Sequence, residues 1–251
     1  MTNTNPNAAA ESTAGNFHAE GRTVDAGRGW DWIVEAFALF RKQPGIWMLA
    51  TVVLGVLFIV IGMIPVLGFL ASALLFPIFG GGLMLGCKAL DQSGTLELAH
   101  LFAGFKQRTG DLVLVGMFNL VCWVVIGFAV IAVVGGGVFM GVMRGGIEGA
   151  GLSIASLLIA MLLVAAMSVP LYMATWFAPV LIVLHDMPPG AALKASFFAC
   201  LRNWIPFLVY GVVLLVLCLV AAIPAGLGYL VLIPVLAASV YTAYRDIFCA
   251  G

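Results

Sequence analysis

QPGIWMLATVVLGVLFIVIGMIPVLGFLASALLFPIFGGGLMLGC, Gln43 to Cys87, is a run of 45 residues without a charge, closed by Lys42 on one side and Lys88 on the other. A charge at the centre of a bilayer costs about 2.5–3.5 kcal/mol on insertion scales, and a helix needs about 20 residues to cross. The run is long enough for two crossings. Gly62, Pro65 and Gly68 stand near its middle, where proline and glycine disfavour continued helix. It therefore predicts two spans joined by a tight turn.

Three more stretches read the same way. Arg202 and Arg245 bracket 42 uncharged residues, interrupted by Pro224, Gly226 and Gly228, which predicts a second hairpin. Between Asp111 and Arg144 lie 32, enough for one span, and between Glu148 and Asp186 lie 37. An unbroken helix over Leu152 to Leu184 would be roughly 50 Å long against a hydrocarbon core of about 30 Å, so a kink or an interfacial end is expected near Pro170 or Pro179. The expected fold is an all-α integral membrane protein with six transmembrane helices, at about 45–64, 67–87, 112–134, 152–180, 205–223 and 226–244, forming one membrane domain over 30–251.

Composition agrees with this class. With 63% hydrophobic and 9% charged residues, the chain is far from a soluble mix of roughly 45–50% apolar and about 25% charged. Formal net charge is zero, which gives no general attraction to nucleic acid. Residues 1–29, rich in Asn, Thr, Ala and Gly, have no apolar run and read as a disordered cytoplasmic tail. Glu11 and Glu20 occupy positions where a signal peptide needs a basic and then an apolar region, so no cleaved leader is expected.

Basic residues orient the spans, because basic loops resist translocation. Arg22, Arg28, Arg41, Lys42, Lys88, Lys106, Arg108, Lys194, Arg202 and Arg245 all fall on one set of alternating loops, and only Arg144 on the other. That asymmetry predicts an even number of spans with both termini in the cytoplasm.

Each basic segment also joins an amphipathic stretch to a span. Trp30, Ile33, Val34, Phe37 and Phe40 recur at helical spacing opposite Asp31, Glu35 and Lys42. Leu98, Leu101, Phe102 and Phe105 do so against Glu97 and His100. Leu193, Phe197, Cys200, Leu201 and Trp204 do so against Lys194 and Asn203. A shift of 65 positions superposes Phe37, Ala38, Phe40, Arg41 and Gly45 on Phe102, Ala103, Phe105, Lys106 and Gly110. A shift of 95 superposes Asp91, Leu98, Phe102 and Gly116 on Asp186, Leu193, Phe197 and Gly211. The reading is three repeats, each a short interfacial amphipathic helix followed by a two-span hairpin ending near an acid: Asp91, Asp186 or Asp246.

The entry GRGWDWIVEAFALFRKQPGIW, Gly27 to Trp47, and the exit YTAYRDIF, Tyr241 to Phe248, resemble a family of BPSS-type hypothetical transmembrane proteins of β-proteobacteria, with a looser similarity to YciC-like inner-membrane proteins. The resemblance implies a Gram-negative inner-membrane location and a multi-span bundle. It brings no established activity and no functional residue.

Chemistry is sparse. No ionisable residue falls inside a predicted span, and Asn119, the most polar residue at depth, is expected to hydrogen-bond a neighbouring helix. Cys87, Cys122, Cys200, Cys218 and Cys249 lack metal or disulfide spacing and read as packing residues. His185, Asp186, His100, Asp91 and Asp246 share a predicted face without an HExxH or DxD arrangement, so capping or pairing with Lys and Arg is favoured over a hydrolytic or metal site. No catalytic, metal or cofactor-binding residue is expected. Gly135 to Gly151, with eight glycines in seventeen residues, reads as an outer loop, with a close-packed helix as the alternative.

Aromatic faces with basic flanks suit an anionic leaflet. Trp30, Trp32, Arg41, Lys42, Lys106, Arg108, Lys194, Arg202 and Trp204 are the expected contacts to lipid headgroups or the interface. The expected partners are the bilayer, anionic headgroups, and a membrane protein or a second copy. A non-enzymatic membrane scaffold or envelope-maintenance protein ranks first. A transporter or channel for an apolar or lipid-like solute, gated at Pro65, Pro77, Pro170, Pro179 and Pro234, ranks second.

Overall fold

The computed structural model describes residues 17–92, 94–145 and 154–249, and every regular element among them is helical. In chain order these are α1 (Arg28–Lys42), α2 (Pro44–Gly62), α3 (Leu67–Gln92), a 3₁₀ segment (Leu98–Phe105), α4 (Thr109–Gly145), α5 (Ile154–Thr175), α6 (Ala178–His185), α7 (Pro189–Arg202), α8 (Trp204–Ala222) and α9 (Tyr229–Phe248). Six stretches are long and apolar enough to cross a membrane: Pro44–Gly62, Leu67–Gln92, Thr109–Met143, Ser156–His185, Trp204–Ala222 and Tyr229–Phe248.

Local chemistry sets several of the boundaries. Pro44 opens α2 and holds Gln43 out of helical conformation at φ −147°, which ends α1. Asp31 in the first turn and Arg41 and Lys42 in the last complement the α1 dipole. The expected break near Pro179 falls at Trp176–Phe177, between α5 and α6, while Pro170 is absorbed inside α5. Pro179 has no N–H to continue the ladder. Ser196 of α7 repairs the gap: its buried hydroxyl donates to the Met173 carbonyl at 2.7 Å and accepts the Phe177 N–H at 2.9 Å. Ser196→Ala strands both backbone groups and is expected to cost about 2 kcal/mol. The thermal midpoint in detergent should fall by roughly 4–8 °C, and an unchanged midpoint would show that the break needs no bridge.

The loop expected from Gly135 is corrected. α4 continues through Gly135, Gly136, Gly137 and Gly141 to Gly145, a helix of 37 residues and about 55 Å. Residues 146–153 of that expected loop lie outside the described residues. In an apolar medium a broken backbone hydrogen bond costs several kcal/mol, more than the roughly 1 kcal/mol glycine penalty, so a glycine run without polar turn formers stays helical. Gly137 also admits a neighbour: a Cβ there would stand 2.8 Å from the Ser156 Cβ.

Packing follows a cyclic order. α3 lies on the 3₁₀ segment, α5 lies on α7, and α9 lies on α1, so the last helix closes against the first. α9 is the most enclosed of the spanning helices, while α2, α4 and α8 are peripheral. Two close approaches depend on missing side chains. A Cβ on Gly29 would sit 2.2 Å from the Pro206 carbonyl oxygen, where α1 crosses α8. A Cβ on Gly104 would sit 2.1 Å from the Ile78 oxygen, where the 3₁₀ segment crosses α3. The outward faces stay apolar and exposed, as at Ile59, Phe128, Leu215 and Ile223.

Candidate functional site

The ends of α1, α3 and α9 meet in a chain of ion pairs. Asp91 of α3 accepts Arg245 Nη1 at 2.9 Å and the Tyr241 hydroxyl at 3.3 Å. Arg245 Nη2 reaches Glu35 Oε2 of α1 at 2.9 Å, and Arg28 Nη2 donates to Glu35 Oε1 at 3.0 Å. Arg28 Nε then donates to Asp246 Oδ2 at 2.6 Å, and Arg22 Nη2 donates to Asp246 Oδ1 at 2.7 Å. The Asp246 side chain is only 5% exposed, and the Trp32 indole adds a third donor at 2.9 Å. Its three partners supply the compensation that a buried carboxylate requires. The hydrogen bond and charge of Asp246 also hold the Arg28 guanidinium above its ordinary pKa.

A strap from Phe17 to Asp25 lies over this network. The tail expectation for residues 17–29 is corrected, while residues 1–16 lie outside the described residues. His18 N–H donates to the Phe248 carbonyl and Arg22 N–H to the Ile247 carbonyl, 2.8 and 2.9 Å away. These carbonyls end α9 and have no intrahelical donor. Asn203, fully buried between α7 and α8, accepts Val24 N–H at 2.8 Å and donates to the Arg22 carbonyl at 2.9 Å. Sequence periodicity misses such a strap because its bonds are made by the backbone and by partners such as Asn203 and Asp246, 179 and 224 residues away.

A second cluster sits beside the strap. The Phe17 ring stacks on His185 with centroids 3.6 Å apart, His185 Nε2 meets the Tyr244 hydroxyl, and the Cys249 thiol donates to that hydroxyl at 3.0 Å. Burial raises the Cys249 thiol above its ordinary pKa and pushes Cys200 up to about 12. Both favour the protonated thiol over the nucleophilic thiolate.

The remaining expected residues scatter. Asp186 caps α6 in the left-handed conformation and lies near Arg108, which pairs with Asp111 at 2.7 Å. His100 accepts Glu97 N–H at 3.0 Å. Of the expected headgroup contacts, Trp30 and Trp204 are 53% and 59% exposed, and Arg41, Lys106 and Lys194 are exposed too. Lys42 donates to the Leu90 carbonyl, and Arg202 pairs with Glu20. Trp32 is a correction: it is fully buried, turned by its Asp246 bond and its Phe207 contact away from any headgroup. Asn119 is another, because its amide has no hydrogen-bond partner among the described residues.

A protein of Burkholderia thailandensis named a probable inner membrane protein is 31% identical over 226 residues, covering 87% of this chain and 82% of its own. The chain belongs to that family. It is therefore a multi-pass inner membrane protein, in keeping with its six apolar helices. No family model matches this inner membrane protein, and neither does any solved structure. The similarity to YciC-like proteins gains no support from the match.

Proposed function

We propose that the protein is a non-enzymatic scaffold of the inner membrane, with an envelope-maintenance role. Its three hairpins are each preceded by an interfacial helix, and both termini face the cytoplasm. The observation that carries this reading is the closely filled apolar core beside the ion pairs. Phe177, Leu181, Ile182, Ile247 and Phe248 are fully buried against one another, and the Asp91–Arg245–Glu35–Arg28–Asp246 chain ties the polar end together. Trp30 and Trp204, exposed at the starts of α1 and α8, suit an aromatic belt at the cytoplasmic interface.

A second reading, passage of an apolar or lipid-like solute, is favoured by the helix break at Trp176–Phe177 and by Pro77, Pro170 and Pro234 inside helices. Proteoliposomes separate the two. The scaffold is expected to move a fluorescent phospholipid no faster than empty vesicles, and saturable, protein-dependent movement would establish transport instead. A reporter fused after Gly251 tests the orientation: cytoplasmic signal is expected, and a periplasmic one would reverse it.

A further inference from the structure

The two charge-free hairpins end in turns that offer nothing to water. Ile64, Pro65 and Val66 join α2 to α3, and Ile223, Pro224 and Ala225 lead from α8 towards α9. Neither tip, 62–69 or 221–228, holds a charged, hydroxyl or amide side chain. Turns that face water commonly use Asn, Asp and Ser, whose side chains bond the turn backbone. Here Val66 and Ala225 take the left-handed conformation themselves, at φ 61° and 51°, and a β-branched residue there is an outlier. The backbone answers its own donors instead. Ile64, Leu67 and Gly68 N–H donate to the Ile61, Pro65 and Ile64 carbonyls at 3.1, 2.6 and 2.8 Å. Ala225, Gly226 and Leu227 N–H donate to the Ile223, Ala222 and Pro224 carbonyls at 2.9, 3.2 and 3.0 Å. Pro65 and Pro224 have no N–H to satisfy. The polar side chain next in line, Tyr229, turns its hydroxyl back to the Cys218 carbonyl of α8 at 3.1 Å. Both turns also close tightly against the helix seven residues earlier: a Cβ on Gly68 would stand 2.1 Å from the Ile61 oxygen, and one on Gly228 2.5 Å from the Ala221 Cα.

Helix length sets how far the turns reach. α2 and α8 have 19 residues each and begin two residues after Lys42 and Arg202. At about 1.5 Å per residue each rises about 28 Å, against a hydrocarbon core of about 30 Å, and a tilt of about 20° shortens the reach further. The tips therefore stop at the far edge of the hydrocarbon. Their exposed side chains continue the outward faces of the spans without a polar break: Met63, Ile64 and Val66 follow Ile59 of α2, and Ile223 and Leu227 follow Leu219 of α8. We propose that both turns are seated beneath the headgroups of the leaflet opposite the basic end, covered by acyl chains, so that neither hairpin surfaces in the far aqueous phase. Irregular backbone is excluded from lipid when its polar groups are unpaired, and these turns meet that condition by bonding within themselves. The inference rests on the membrane placement and requires neither scaffolding nor transport.

A membrane-impermeant sulfonated maleimide, applied to both sides of dioleoyl phospholipid vesicles that hold the purified full chain, tests it. Peptide mass spectrometry reads the labelled position, so the native cysteines can stay. Val66→Cys and Ala225→Cys are expected to react at about a tenth or less of the rate of Lys106→Cys, an exposed control, and to react fully in SDS. The two turns lie in separate hairpins, and unchanged helical circular dichroism qualifies each variant independently. Dilauroyl lipid, which thins the cover, should raise labelling at both turns at least about threefold. Rapid labelling in dioleoyl vesicles would overturn the proposal by placing the turns in water. Slow labelling that dilauroyl lipid leaves unmoved would overturn it too, since a second copy of the chain would then be the cover. None of these outcomes alters the proteoliposome transport result.

Discussion

Asp246→Ala is expected to lower stability in detergent by about 2–3 kcal/mol and the thermal midpoint by roughly 5–10 °C. From α9, the carboxylate ties down two further elements through three side chains: Arg22 of the strap, and Arg28 and Trp32 of α1. Its removal leaves a buried indole N–H without an acceptor and two guanidinium groups without their shared counter-charge. Breaking a fully buried pair costs about 3–5 kcal/mol, and the lower figure here reflects Arg22 and Arg28 being 46% and 32% exposed. Asp246→Asn keeps an acceptor for Trp32 and should fall between the two. Trypsin should also cut more readily after Arg22, since the strap loses its side-chain anchor. An alanine variant within about 1 °C of the unaltered protein, with unchanged cleavage, would mean that the ion chain only decorates a fold held by its apolar core.

Gly104→Ala is expected to be comparably damaging, for a steric reason. The new methyl would fall 2.1 Å from the Ile78 carbonyl oxygen, which belongs to the α3 backbone and cannot rotate aside. Either the 3₁₀ segment lifts off α3 or α3 bends, and overpacking of this kind costs about 1–3 kcal/mol, occasionally more. The facing position has the same constraint, since a Cβ on Gly82 would lie 2.6 Å from the His100 carbonyl oxygen. Gly110→Ala, where a Cβ meets nothing within 4 Å, is the matched control and should leave the midpoint unchanged. Equal behaviour of the two variants would mean that the segment docks more loosely than the geometry shows.

The spans were legible because charge is so expensive in lipid. The gaps between Lys42 and Lys88 and between Arg202 and Arg245 locate four helices, and the ends of α2 and α8 fall within a few residues of those expected. Pro179 also gives a readable signal, since a missing N–H acts locally. The candidate site was not legible. Asp246, Arg28 and Trp32 form one unit only because α9 folds back on α1, and no local pattern encodes a pairing across 214 residues. The amphipathic reading of α1 captured its apolar character but not its sides: Trp32, Ala36 and Leu39 turn inward with Ile33 and Phe40, whereas Trp30, Val34 and Phe37 remain exposed. In the glycine run, water-based propensity suggested a loop because it omits the cost of an unpaired peptide group in an apolar medium.

The closure of α9 on α1 sets an order on the birth of the protein. Ribosomes work from the amino end, so α1 emerges first while its acceptor, Asp246, follows 214 residues later. At about 5–20 residues per second, the first helix waits roughly 10–45 s with Trp32 and Arg28 unmatched. During that interval its apolar side has no partner from the end of the chain, and seating is postponed until α9 has been inserted. The earliest element made is thus the last to be locked, and a nascent chain stalled before α9 would present an unclosed ring to the quality-control proteases of the membrane.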